Sequence, residues 1–144
     1  MPQDIIQPRT KERFDSLKKV LARLEEVTYL KPDDNLIEII NDSIVQRFEF
    51  TLELSWNLLK DILTDLGYLE INGPKPSIEK AFQVGILTDE GQYILFKEML
   101  KSRNLMSHTY DQEKSIDIVK SIKQSYCPYL KMLIQKIELD YIMK

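Results

Sequence analysis

The chain has 144 residues, of which 43% are hydrophobic and 30% charged. That suffices for one domain with one core and excludes a disordered chain. The net charge of −3 excludes a globally basic nucleic-acid binder, so any phosphate contact must come from a local patch.

One cysteine and one histidine leave no internal disulfide and no zinc cluster, so neither metal nor cofactor is expected. The single thiol fits a reducing compartment. The N-terminus lacks the basic-then-apolar layout of a signal peptide. The longest unbroken apolar run, Tyr93–Phe96, is far too short for a membrane span. A cytoplasmic protein with no membrane partner is expected.

Only four glycines argue against an all-β fold, which needs frequent turns, and favour helices. Residues 1–9 read as a flexible tail, with Pro2 and Pro8 opposing an early helix, and residues 10–144 as one helical domain. Thr10 is the expected cap of a first helix over about 11–29, where Phe14, Leu17, Leu21 and Leu24 draw one stripe. Lys31-Pro32-Asp33 breaks it, and Asp33 or Asp34 suits the next N-cap.

The dominant helix is predicted over about 34–66, with Ile37, Ile40, Ile44, Phe48, Leu52, Leu59, Ile62 and Leu66 buried and Gly67 as its C-terminal stop. At close to 50 Å it exceeds what a compact domain requires, so it should pair with another long helix, here or in a partner chain. Asn72-Gly73-Pro74-Lys75-Pro76 is a loop. Ser77 caps a short helix over about 78–86, ended near Gly85. Thr88 or Asp89 opens a helix reaching about 107, carrying Tyr93, Phe96, Met99 and Leu100 inward.

Asp111 caps a last helix with Ile116, Val119, Ile122, Tyr126, Leu130, Leu133 and Ile137 as its stripe, kinked at Pro128. The expected fold is all-α: a bundle of four main helices plus a short one.

The lone histidine lies in Lys101-Ser102-Arg103-Asn104-Leu105-Met106-Ser107-His108-Thr109-Tyr110-Asp111. Imidazole exchanges protons near neutrality, and guanidinium holds a phosphate through two parallel hydrogen bonds. Arg103 and His108 are five apart, about 140° around a regular helix, so both reach one phosphate only if the helix ends or distorts between them. Asn104, Ser107 and Thr109 offer local backbone bonds that loosen a helix end. The plainer reading is a helix terminus with a solvated histidine and an arginine paired to a neighbouring acid.

The second informative stretch is Gln46-Arg47-Phe48-Glu49-Phe50-Thr51-Leu52-Glu53-Leu54-Ser55-Trp56. Glu49 and Glu53, four apart, repel each other, so a cation is expected opposite them. Arg103 or a partner's basic residue is the candidate; a solvated helix face is the alternative. Phe48, Phe50 and Trp56 spread around the helix, which suits a central element or an oligomer interface, and for Phe48 and Trp56 simple core packing is preferred. Lys97, Lys101 and Arg103 form a small basic patch diluted by Glu98 and Asp111.

Arg103, His108 and Tyr110 match the Arg-x4-His-x-Tyr signature of HEPN proteins. Arg47-Phe48-Glu49-Phe50-Thr51 with Glu53 and Trp56, then Arg103-Asn104-Leu105 and Ser107 to Asp111, resembles a narrower group over roughly Phe14 to Leu133. That group is the nucleotidyltransferase substrate-binding protein family, companion subunits of minimal nucleotidyltransferases. The resemblance implies an up-down bundle that forms a homodimer and assembles with a nucleotidyltransferase encoded nearby. It implies a site of Arg103, His108 and Tyr110, supported by Glu49, Glu53, Asn104, Ser107 and Asp111, facing nucleotide or RNA.

Two activities follow from the resemblance: a non-catalytic subunit that helps form the partner's nucleotide or substrate cleft, or a metal-independent endoribonuclease toxin. In the toxin, Arg103 and His108 are catalytic, and AMP addition to Tyr110 by the partner neutralises it. One histidine per chain is meagre for both acid and base roles, whereas a dimer supplies two. A purely structural helical dimer is a third reading.

Overall fold

A computed structural model describes residues 5–31, 33–108 and 112–143, the side chains of 105–108 and 112 excepted. The described elements are all helical: α1 (Pro8–Thr28), α2 (Ile37–Asp65), α3 (Pro74–Gln83), α4 (Glu90–His108), α5 (Gln112–Ser121) and α6 (Cys127–Ile137). A π-helical segment, Ile122–Tyr126, joins α5 to α6, and another, Glu138–Ile142, follows α6. Counted as one rod, the last group makes the fourth long helix beside short α3. No helix among the described residues is long and apolar enough to cross a membrane.

Helix α2 is the hub. It packs against α1, α3, α4 and α5, while α6 closes against α1 and α3 against α4. Its 29 residues run about 44 Å. Phe14, Leu17 and Leu24 of α1 meet Phe48, Leu52, Leu59 and Ile62 of α2 in one core with Phe96, Met99, Ile122, Leu130 and Leu133. Each such buried side chain contributes about 1.5–3 kcal/mol relative to exposure. Gly67, at φ 101, stops α2 as expected, because the left-handed position costs glycine no Cβ clash.

The helix starts differ from the sequence reading. Helix α1 opens at Pro8, not after Thr10, and Ile6 is buried against the core. Proline suits a first helical turn, where its missing N–H would lack a partner anyway. A distant residue anchors this end: Asp65 accepts the Gln7 amide at 3.1 Å and the Thr10 hydroxyl at 2.5 Å. A carboxylate there also meets the positive end of the helix dipole. Neither Asp33 nor Asp34 caps α2, whose N-cap is Leu36. Helix α3 starts at Pro74, so Ser77 sits inside its first turn and bonds the Gly73 carbonyl at 2.7 Å. The expected Asp111 cap of α5 lies outside the described residues.

Two stripe positions face out: Ile37 is 46% and Ile116 51% exposed, while Ser115 and Ile118 turn inward. A kink is expected at Pro128; the described feature there is a π-segment just before it. Proline lacks a donor and crowds the carbonyl four residues back, and a widened turn relieves both constraints.

Candidate functional site

The π-segment aims Tyr126 inward. Its ring stacks on Phe48 with centroids 5.4 Å apart, and its hydroxyl lies 3.0 Å from Ser102 Oγ. Through that bond the C-terminal rod holds the stretch of α4 that carries Arg103. On α2, Thr51 and Ser55 return their hydroxyls to the carbonyls four residues back, so these buried polar groups are satisfied without a partner helix.

Arg103 meets α2 at Glu53. Its Nη1 donates to Glu53 Oε2 at 2.6 Å, and the same oxygen accepts the Trp56 indole N–H at 3.1 Å. The guanidinium Nη2 also reaches Asn104 Oδ1 at 3.4 Å. The cation expected opposite the two glutamates is therefore Arg103. Glu53 is 47% exposed and Arg103 26%, so water screens the pair and it adds little to stability. Its effect is orientation: two contacts on one oxygen hold the carboxylate, and the carboxylate holds the guanidinium plane.

Glu49 lies one turn away, half-buried. Desolvation pushes its carboxyl above the usual range, and the nearby charge of Arg103 offsets part of that rise. Arg47 is not brought to this cluster; its Nη1 donates to the Arg23 carbonyl of α1 at 2.7 Å. Phe48 is core, as expected, but Trp56 is only partly buried and is tied to Glu53. Phe50 is 59% exposed.

The backbone of α4 stays helical through His108, so on this one helix Arg103 and His108 attach about 140° apart around the axis. The side chains of Ser107 and His108, and Tyr110 and Asp111 entirely, lie outside the described residues.

Arg103 and Asn104 stand at the end of an open cleft of about 420 Å³ between the start of α3 and one face of α4. Pro74, Ile94 and Leu100 supply its apolar surface; Lys75, Lys97 and Lys101 line it with positive charge. The sequence reading had Lys97 and Lys101 as a diluted patch and missed Lys75, Ser102 and Tyr126. Lys75 is 28 positions before Arg103, and no local pattern reports a pairing at that distance.

Residues 12–139 match a family model described as nucleotidyltransferase substrate binding protein like. A Haemophilus influenzae protein named probable ribonuclease HepT is 26% identical over 117 residues, spanning 76% of each chain. A Thermus thermophilus protein of known crystal structure is 31% identical, with a TM-score of 0.67 over 84% of this chain and 94% of that one.

Proposed function

The chain belongs to the nucleotidyltransferase substrate-binding protein family, related to the HEPN proteins, and from that premise we propose that it is the binding subunit of a nucleotidyltransferase complex. In this reading it is an up-down bundle that dimerises. It presents Arg103, His108 and Tyr110 to a small nucleotidyltransferase encoded nearby and helps form that enzyme's nucleotide or substrate cleft.

The observation that carries the proposal is the setting of Arg103. Its guanidinium is already oriented by Glu53 at the edge of an open cleft, which suits a group that holds a phosphate in place. The backbones of Arg103 and His108 lie about 140° apart around one helix axis, which favours a reading in which Arg103 of a protomer acts without its own His108.

A second reading is favoured by the name of the Haemophilus influenzae relative: metal-independent RNA cleavage. It needs two protomers, so that the His108 of one works beside the Arg103 of the other at a shared cleft. Proton transfer and charge stabilisation at the scissile phosphate would then come from side chains alone.

One experiment separates the two. The chain is expressed alone, with Arg103→Ala and His108→Ala beside it, and then together with the neighbouring nucleotidyltransferase. The binding-subunit reading expects harmless expression, no RNA cleavage and co-elution with the partner. Growth arrest with RNA cleavage that either substitution abolishes would overturn it in favour of the ribonuclease. In that case, intact-mass measurement with partner and ATP should show Tyr110 gaining multiples of AMP.

A further inference from the structure

The cleft beside Arg103 extends along α4, away from His108. Lys97 and Lys101 are one turn apart on the same face, and Lys75 comes from the opposite wall at the start of α3. Together with Arg103 these make four cations to one lining carboxylate, Glu98, in a chain whose net charge is −3. None of the three lysines forms an ion pair with a carboxylate among the described residues. Like charges one turn apart repel, and a bound anion would relieve that repulsion.

The arrangement is held at its far end. The Lys97 ammonium lies 5.1 Å from the centroid of the Tyr93 ring, and that ring is stacked on Phe82 at 4.7 Å, nearly parallel. A cation over an aromatic face that is itself fixed by stacking has fewer places to go than a free lysine. From Lys97 to Arg103 is six residues, about 9 Å along the helix. One phosphate cannot engage both ends. The apolar surface of Ile94, Leu100 and Pro74 suits a base or sugar better than a bare polyphosphate.

We propose that this α3–α4 cleft is a binding site for consecutive phosphates carried on a nucleoside, with Arg103 at one end and Lys101, Lys97 and Lys75 continuing it. The inference rests on the reading that Arg103 faces a phosphate ligand, and it adds the residues that extend the contact and the requirement for more than one phosphate. Successive phosphates occur as the anhydride chain of a free nucleoside triphosphate and, one per nucleotide, as the diesters of a single strand of RNA; what the two share is several anionic phosphate groups beside a base and sugar.

The test uses the purified full chain and labelled ATP, AMP and a single-stranded oligoadenylate, titrated at low salt and again at rising salt. The variants are the double substitution Lys97→Ala with Lys101→Ala, and Lys75→Ala. All three side chains are exposed, so thermal unfolding should be unchanged. The tighter of ATP and the oligoadenylate should bind at least about tenfold more tightly than AMP. The double variant should lose about tenfold in affinity for the bound probe and show a flatter salt dependence by about two charges. Binding of ATP that excess oligoadenylate does not displace marks free nucleotide as the source. Binding of the oligomer that excess ATP does not displace marks the strand.

The proposal is overturned if the wild type binds neither ATP nor the oligoadenylate at low salt, if AMP binds as tightly as the tighter of those two, or if the double variant binds as the wild type does. Co-elution of the same variant with the nucleotidyltransferase is scored separately. A partner retained while phosphate binding is absent sinks only this site, and phosphate binding without a partner sinks only the subunit reading.

Discussion

Helix α2 holds two arginine–carboxylate pairs, eight residues apart, and their surroundings differ. Asp61 receives Arg13 from α1, and its side chain is 8% exposed; Glu53 receives Arg103 from α4 and is 47% exposed. At Asp61 burial dominates: desolvation raises its carboxyl, and the attraction of Arg13 and Arg9 does not fully offset that. Such a pair costs heavily when only one member is removed, because the other stays buried and uncompensated. At Glu53 water reaches both partners, so the same chemistry contributes little to folding and leaves the arginine within reach of a ligand. The two arginines are similarly exposed, 32% for Arg13 and 26% for Arg103, so it is the burial of the carboxylate that separates the two pairs.

The largest effect should come from Arg13→Ala. With Asp61 left buried beside Asp65 and only Arg9 to offset its charge, unfolding free energy should fall by about 3 kcal/mol in urea titration. A loss under about 1 kcal/mol would erase the contrast between the two pairs. Arg103→Ala should sharpen that contrast by costing less than about 1 kcal/mol in the same measurement, while weakening whatever ligand contact the cleft makes. A destabilisation as large as that of Arg13→Ala would make Arg103 a structural residue.

The smallest effect concerns pH. Glu49 has a carboxyl raised by burial, so the folded chain holds that proton more tightly than the unfolded chain does. Stability attributable to this group is therefore greatest at low pH and falls as pH rises through the window between its ordinary and its raised value. Glu49→Gln removes the burial cost of the charge and should raise the midpoint of thermal unfolding by about 1–2 °C at pH 7. The gain should shrink as pH drops through that window. A constant difference across pH would mean that Glu49 is as solvated as a free side chain.

Legibility differed by kind of feature. The stripe Phe14, Leu17, Leu21 and Leu24 and the stop at Gly67 were readable because helical period and backbone handedness are local properties. The starts were misread for the opposite reason. Thr10 reads as a cap, but it lies inside the helix and its hydroxyl donates to Asp65, 55 residues away. Ile116 looked like stripe, but the rod turns Ser115 and Ile118 inward instead. Charge balance alone asks for a cation opposite Glu49 and Glu53, with Arg103 as one candidate. Only the packing of α4 on α2 chose Glu53 as the hydrogen-bond acceptor and Trp56 as its second contact.

By itself, then, the sequence determined that the chain is helical, roughly where each helix lies, and which side chains bear chemistry, because periodicity, turn residues and side-chain type act over a few positions. The tertiary structure decided which of those side chains meet. Arg103 and Glu53 are 50 residues apart, and Lys75 shares a cleft with Lys97 only because α3 folds back on α4. Such meetings depend on how the helices pack and on a π-turn beside one proline, and these emerge only when the whole core has settled.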